Sequence, residues 1–247
     1  MLDVQQFMKH QIIAHLITRI RKRFDMATYS VVEKFISING ESTKAGQLAV
    51  FIRFAGCNLN CNYCDTKWAN EKNVSHETLT EFEIYDYIKS TGVTNVTLTG
   101  GEPLLREDID KLLRILSSDK NLYVEIETNG SVDIGPFRDI SENISFTLDY
   151  KLQGSGMEHM MNLDNYEDLT SNDTVKFVVS NKEDLKKAKQ IIDEERLTEK
   201  CNVYISPVFG RIEPVTIVDF MIENKMNKVN MQLQMHKIIW DPEKKGV

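Results

Sequence analysis

The sequence has no stretch of eighteen apolar residues, so no membrane-spanning helix is expected. Its N-terminus has no long apolar run followed by a small-residue cleavage pattern, which argues against secretion and makes the cytoplasm the expected location. Positive charge is in the minority: 30 Lys and Arg stand against 37 Asp and Glu, a formal net charge of −7. Binding along a phosphate backbone needs a concentrated basic surface, so a nucleic-acid partner is not expected. There is no internal repeat, no low-complexity linker, and only five prolines and four cysteines. So few cysteines, three of them clustered, suit a metal site better than a disulfide framework.

What is present suits one α/β domain. Apolar residues make up 41% and charged residues 27%, enough for a large core under a solvated surface. Residues 1–25 stand apart. Ile12, Ile13, Leu16, Ile17 and Ile20 recur at helical spacing ahead of Arg21-Lys22-Arg23, an amphipathic basic helix or extension. A membrane surface or a partner would suit such a helix. Two plainer readings are preferred: an appendage packed on the domain, or a start at Met26. The core domain is expected over 26–247.

From Met26 on, strand and helix patterns alternate. Strands are expected over Tyr29–Ile38, Leu48–Phe54, Val96–Thr99, Tyr123–Glu127, Ser145–Leu148, Val175–Val179 and Val203–Ile205. Thr80 with Glu83 three residues on reads as a capping box, opening a helix to Ser90 before Gly92. Further helices are expected over Glu107–Leu116, Leu185–Ile192 and Val218–Met226. The alternation implies a mostly parallel sheet, open or wound into a barrel. Ligands of such sheets collect at the C-terminal ends of the strands. Gly56-Cys57, Gly100-Gly101, Asn129-Gly130 and Ser206-Pro207 all follow a predicted strand, hence share that face.

Cys57, Cys61 and Cys64 have CxxxCxxC spacing directly after the second strand. One loop can wrap three thiolates around one centre. A four-iron cube usually takes one cysteine per iron, so three would leave the fourth iron open to another ligand. Zinc would want a fourth protein ligand, for which His76 is the local candidate across a polar stretch suited to a loop. Thr99-Gly100-Gly101-Glu102-Pro103 sits one strand–helix unit later, where glycine lets a backbone approach closely. Glu127 closes the next strand, placed either to bind a polar ligand or to cap the turn.

These motifs resemble the radical S-adenosylmethionine (SAM) superfamily, whose signature is CxxxCxxC after the first barrel strand. The resemblance implies a partial (β/α) barrel and a [4Fe–4S] cluster on Cys57, Cys61 and Cys64. It implies SAM chelated at the open iron and cleaved to a 5′-deoxyadenosyl radical, with the electron coming from a donor such as flavodoxin. It places SAM against Tyr63, Cys64, Asp65, Gly101, Glu127 and Lys151.

Smaller features are similar to the 7-carboxy-7-deazaguanine synthase family of queuosine-precursor biosynthesis. They are Ile38-Asn39-Gly40-Glu41, Arg53 before Gly56-Cys57, Cys64-Asp65-Thr66 and Gln234-Met235-His236-Lys237. The resemblance implies a lyase that converts 6-carboxy-5,6,7,8-tetrahydropterin to 7-carboxy-7-deazaguanine with loss of ammonia. It implies Mg²⁺ on Thr66, and pterin contacts from Ile38, Asn39, Gly40, Glu41, Arg53, Thr99 and His236. A homodimer is implied as well. Plainer roles stand beside these: a turn or helix cap for Thr66, an outward-facing strand residue for Arg53, a structural histidine for His236. Asn39 and Ser42 depart from the usual Gln-Gly-Glu-Gly, and Leu148-Asp149-Tyr150-Lys151 stands where many members have Ser-Pro-Lys. The chain runs on past Trp240, so the substrate contact made by the C-terminus of shorter members is not carried over. Two rivals remain: a radical SAM activase of a partner protein, and a zinc-stabilised binding module using the N-terminal helix. Cys201, without a companion, reads as a small buried residue.

Overall fold

A computed structural model describes residues 26–247; the helix expected within 1–25 lies outside the described residues. Among the described residues, nine strands form one sheet, in the order β3-β1-β2-β4-β5-β6-β7-β8-β9. They are β1 (Thr28–Ile38), β2 (Leu48–Phe54), β3 (Glu77–Thr80), β4 (Asn95–Gly100), β5 (Tyr123–Thr128), β6 (Ile144–Tyr150), β7 (Thr174–Val179), β8 (Asn202–Pro207) and β9 (Val229–Met231). From β2 through β9 every neighbouring pair in the sheet is parallel, while β1 runs antiparallel to β2 and to β3. The helices are α1 (Glu81–Thr91), α2 (Ile109–Ser118), α3 (Gly135–Arg138), α4 (Lys182–Glu194), α5 (Leu197–Lys200), α6 (Pro214–Glu223) and α7 (His236–Ile239). The fold is α/β with a mostly parallel sheet of the radical SAM partial-barrel type.

Strand alternation sorts the sheet into two faces. The outward set, including Ile52, Leu98, Ile126, Phe146, Phe177 and Ile205, is buried in the hydrophobic core. The inward set is polar: Arg53, Thr99, Glu127, Asp149 and Lys176 line the cavity. A parallel strand with one apolar and one charged face is unusual, because both faces are covered. Here the inner face surrounds a site rather than a second core.

Local sequence explains the helix ends. Thr80 and Glu83 form the expected capping box: the Glu83 amide donates to Thr80 Oγ1 at 3.2 Å and the Thr80 amide to Glu83 Oε2 at 2.7 Å. Gly92 ends α1 at φ 72°, in the left-handed region glycine enters most readily. Three differences from the expected pattern stand out. Glu77–Thr80, for which no strand is expected, forms edge strand β3, which pairs with β1 and keeps Glu77 exposed. β6 and β7 are joined by short 3-10 helices at 153–155, 158–160 and 163–166 rather than by an α-helix. The C-terminal part of the predicted strand–helix pattern adds a short ninth strand, too brief to show a period.

Candidate active site

Every motif loop opens into one cavity of about 300 Å³ at the C-terminal ends of the parallel strands. Cys57, Cys61 and Cys64 line it, all three as free thiols, with Cys61 buried. Their loop is tied down on several sides. Gly56 donates its amide to Ala69 O at 3.0 Å, and Asn62 donates its amide to Ser155 O at 2.9 Å. The Leu59 amide and Asn129 Nδ2 point at Cys57 Sγ, at 3.4 and 3.5 Å. Both N–H groups are placed to donate to this sulfur when it serves as a metal ligand. Among the described residues no group of Cys, His, Asp or Glu converges on a single ion. A four-iron cube instead spreads its thiolates over separate irons, and this donor set fits it. His76, the candidate zinc ligand, is exposed and turns its Nδ1 to Val74 O at 3.0 Å.

The Gly-Gly turn packs on that loop. The Gly101 amide donates to Phe54 O at 3.1 Å and the Glu102 amide to Gly56 O at 3.0 Å. A Cβ on Gly101 would lie 1.9 Å from Gly56 O, so the glycine is needed for the turn to reach the cysteine loop at all. Glu102, fully buried, accepts from Leu104 N at 3.1 Å, Thr128 Oγ1 at 2.9 Å and Asn129 N at 2.7 Å. Glu102, not Glu127, therefore caps the turn after β5. Glu127 faces the cavity, where burial raises its carboxyl pKa despite the nearby Lys176 ammonium.

One wall is a chain of half-buried charges around the buried Lys176. Lys151 Nζ lies 2.8 Å from Asp149 Oδ2, and Lys176 Nζ lies 3.3 Å from Asp149 Oδ1 and 3.1 Å from Glu41 Oε2. The Lys176–Asp149 contact is an ion pair without hydrogen-bond alignment, as Oδ1 has no hydrogen-bond partner. Burial pushes the Asp149 carboxyl up, but Lys151 and Lys176 outweigh it and hold it below the ordinary value. Beneath, Glu125 accepts from Thr147 Oγ1 at 2.6 Å, and Asn39 bridges Thr97 and Glu125. Burial, with Glu127 nearby, pushes the Glu125 carboxyl up to about 7.

Arg53, Asp65, Thr66 and His236 line the cavity as well. Arg53 faces inward and donates Nε to Glu33 at 3.0 Å, so it is not an outward strand residue. Lys237 sits 3.4 Å from Asp65. Partial desolvation opposes the charge of the half-exposed Asp65, yet Lys237 and Arg53 hold its carboxyl below the ordinary value. Thr66 precedes the short helix at Lys67–Asn70, but its side chain makes no capping bond. Gly40 leaves room for His236: a Cβ there would meet Nδ1 at 3.0 Å. Burial lowers the His236 pKa.

Of the residues expected at the site, all but Asn39 line the cavity. Asn39 lies below it, with its amide donated to Gln47 O and its carbonyl accepting from Gly46 N, both at 2.8 Å. The segment beyond Trp240 differs from expectation as well. Residues 242–247 fold back to line the cavity, with Lys245 Nζ 4.0 Å from the Trp68 ring centroid. Sequence reasoning gave no role to Asp149 or Lys176, which line the cavity, and placed Asn129 on the ligand face without assigning it one. Lys176 carried a signal, a lysine inside the strand Thr174–Val179 where apolar residues surround it.

The family model described as the radical SAM superfamily matches residues 51–192. A curated 7-carboxy-7-deazaguanine synthase from Clostridium acetobutylicum is 63% identical over 219 residues, 89% of this chain and 99% of that protein. Its counterpart from Chlorobaculum tepidum is 35% identical, covering 90% of this chain and 98% of its own. The crystal structure of QueE from Escherichia coli has the same fold, with a TM-score of 0.69 at 20% identity over 85% of this chain and 95% of that one. With three clustered thiols at the strand ends, the Gly-Gly turn packed against them and relatives matched over nearly their whole length, this chain belongs to the 7-carboxy-7-deazaguanine synthase family of the radical SAM superfamily.

Proposed function

We propose that the cavity binds SAM beside 6-carboxy-5,6,7,8-tetrahydropterin and converts the pterin to 7-carboxy-7-deazaguanine with release of ammonia. The observation that carries this is the meeting of the cysteine loop with Glu41, Arg53, Thr66 and His236 in one cavity. Cys57, Cys61 and Cys64 would hold the [4Fe–4S] cluster, which would supply the electron for reductive SAM cleavage and so the radical chemistry at C6 of the pterin.

The chain's own part is to hold, orient and exclude water. Arg53 is braced at Nε by Glu33, which leaves its terminal nitrogens for the two oxygens of the substrate carboxylate. Thr99 and Glu41 offer polar contacts to the ring, and His236 closes that side. Tyr63, Asp65, Gly101, Glu127 and Lys151 surround the SAM side. Thr66, with its hydroxyl spared from capping, suits Mg²⁺, a hard cation that takes oxygen ligands and would draw the rest from water and substrate. A low-potential carrier of the flavodoxin type delivers the electron.

The test is anaerobic reconstitution with iron and sulfide, then SAM, reductant, Mg²⁺ and the carboxytetrahydropterin, read by mass spectrometry. Loss of ammonia alone is redox-neutral, so the hydrogen taken at C6 must be returned; the deazaguanine acid should therefore accumulate in excess over the SAM consumed, and chelating Mg²⁺ should slow its formation. Deoxyadenosine without the acid would refute the pterin assignment.

A further inference from the structure

Lys176 pairs with carboxylates from two different elements, Glu41 and Asp149. It lies in the middle of β7, 6% exposed, opposite Asp149 in the sheet register. Isolating an ammonium from water there costs several kcal/mol unless carboxylates compensate. They do, and from different elements. Glu41 comes from the turn after β1, at 3.1 Å, and also accepts from Ser206 Oγ on β8 at 3.4 Å. Asp149 comes from β6, at 3.3 Å. Glu127 on β5 adds its field from further off.

Asp149 divides its two oxygens between two lysines. Oδ1 faces Lys176 and Oδ2 faces Lys151. The result is an unbroken sequence of opposite charges, Glu41, Lys176, Asp149, Lys151. One end lies in the turn assigned to the pterin, the other in the segment assigned to SAM. Neither end is free to move alone. A shift of Glu41 unbalances Lys176, which then draws on Asp149 and loosens its hold on Lys151.

We infer that Lys176 is a positioning residue that couples the two ligand subsites, so that SAM and the pterin each bind more tightly when the other is present. The inference rests on the pterin reading of the cavity. Coupling between sites needs groups that both ligands bias, and by linkage the effect must be reciprocal. The charge sequence supplies such groups over a short path. A ligand that fixes Lys151 fixes Asp149 and Lys176, and so presents Glu41 already oriented to the second ligand.

The experiment is equilibrium binding to the anaerobically reconstituted, unreduced holoenzyme, where SAM is not cleaved. The dissociation constant of 6-carboxytetrahydropterin is measured with and without saturating SAM, and that of SAM with and without pterin. In the wild type each ligand should tighten the other by at least about fivefold, within the usual range of such coupling. Lys176→Met should bring both ratios to about one, and Asp149→Asn should do the same. Lys176→Arg, which keeps the charge, should retain most of the coupling. Melting curves and iron content identify any variant that fails to fold, and the arginine variant still decides the matter in that case. A wild type that binds both ligands without mutual effect overturns the inference, as does full coupling in Lys176→Met or its loss in Lys176→Arg. A wild type that binds SAM but no pterin overturns the substrate reading itself, which is a distinct result.

Discussion

Glu102 accepts the backbone amide of Asn129 at 2.7 Å, and so fastens the Gly-Gly turn after β4 to the turn after β5. Asn129 in turn directs its side-chain Nδ2 at Cys57 Sγ. The acidic residue of the Gly-Gly-Glu-Pro segment therefore acts on the cysteine loop from behind. Glu102→Ala should leave the Asn129 amide and the Thr128 hydroxyl unpartnered in a buried place, at about 1–3 kcal/mol for each group left unsatisfied. Iron content after reconstitution and thermal stability should fall together. Stable protein with full iron would refute the fastening role.

Gly101→Ala and Gly92→Ala separate two reasons for glycine. At Gly101 an added Cβ meets Gly56 O at 1.9 Å, so the turn must move off the cysteine loop. At Gly92 nothing lies within 4 Å, and only the φ of 72° resists a side chain. The second should cost about 1 kcal/mol, the strain of one left-handed residue. The first should cost more and also lower cluster occupancy. Denaturant midpoints and iron assays on both variants check this, and equal losses would contradict it.

The Glu125 carboxyl, pushed up to about 7 in the folded chain against an ordinary value of 4.5, sets a sign for pH. The unfolded chain gives up that proton first. Its contribution to stability is full below about pH 4.5 and is lost as pH rises through 7. The size is on the order of 3 kcal/mol, from 1.36 kcal/mol per pKa unit. Urea unfolding of the wild type and of Glu125→Gln between pH 5 and 8 should show the wild type losing ground as pH rises. Parallel curves would rule the buried carboxyl out as the source.

Arg53→Lys keeps the charge and loses the fork. The KM for the carboxytetrahydropterin should rise by roughly ten- to a hundredfold, the scale of 1.4–3 kcal/mol for a hydrogen bond to a charged group. SAM binding, measured separately, should change little. A matched loss of SAM affinity would move Arg53 to the other side of the cavity.

The sequence made part of this legible for definite reasons. Thr80 and Glu83 announce the start of α1 because a capping box is a contact within four residues. The cysteine loop and Gly100-Gly101 could be placed on one face because parallel strands end on one side. Glu77–Thr80 was hidden, since an edge strand need not alternate apolar and polar residues. Lys176, Asp149 and Glu41 were hidden as a group for another reason. Their partnership depends on sheet register and on a turn folding back, and neither leaves a trace at fixed spacing. For Glu127 and Thr66 the plainer capping roles fall away, since Glu102 takes the turn after β5 and Thr66 makes no side-chain capping bond.

The two-faced sheet has a consequence for how variants of this protein would fail. Phe146 and Thr147 are adjacent, as are Phe177 and Lys176, yet in each pair one side chain belongs to the core while the other faces inward. Damage to the first kind acts through how much folded protein survives in the cell; damage to the second kind acts on the polar network around the cavity and so also on output. A scan that scores abundance and output separately would alternate between these two outcomes along β6 and β7, tracing the pleat of each strand one residue at a time.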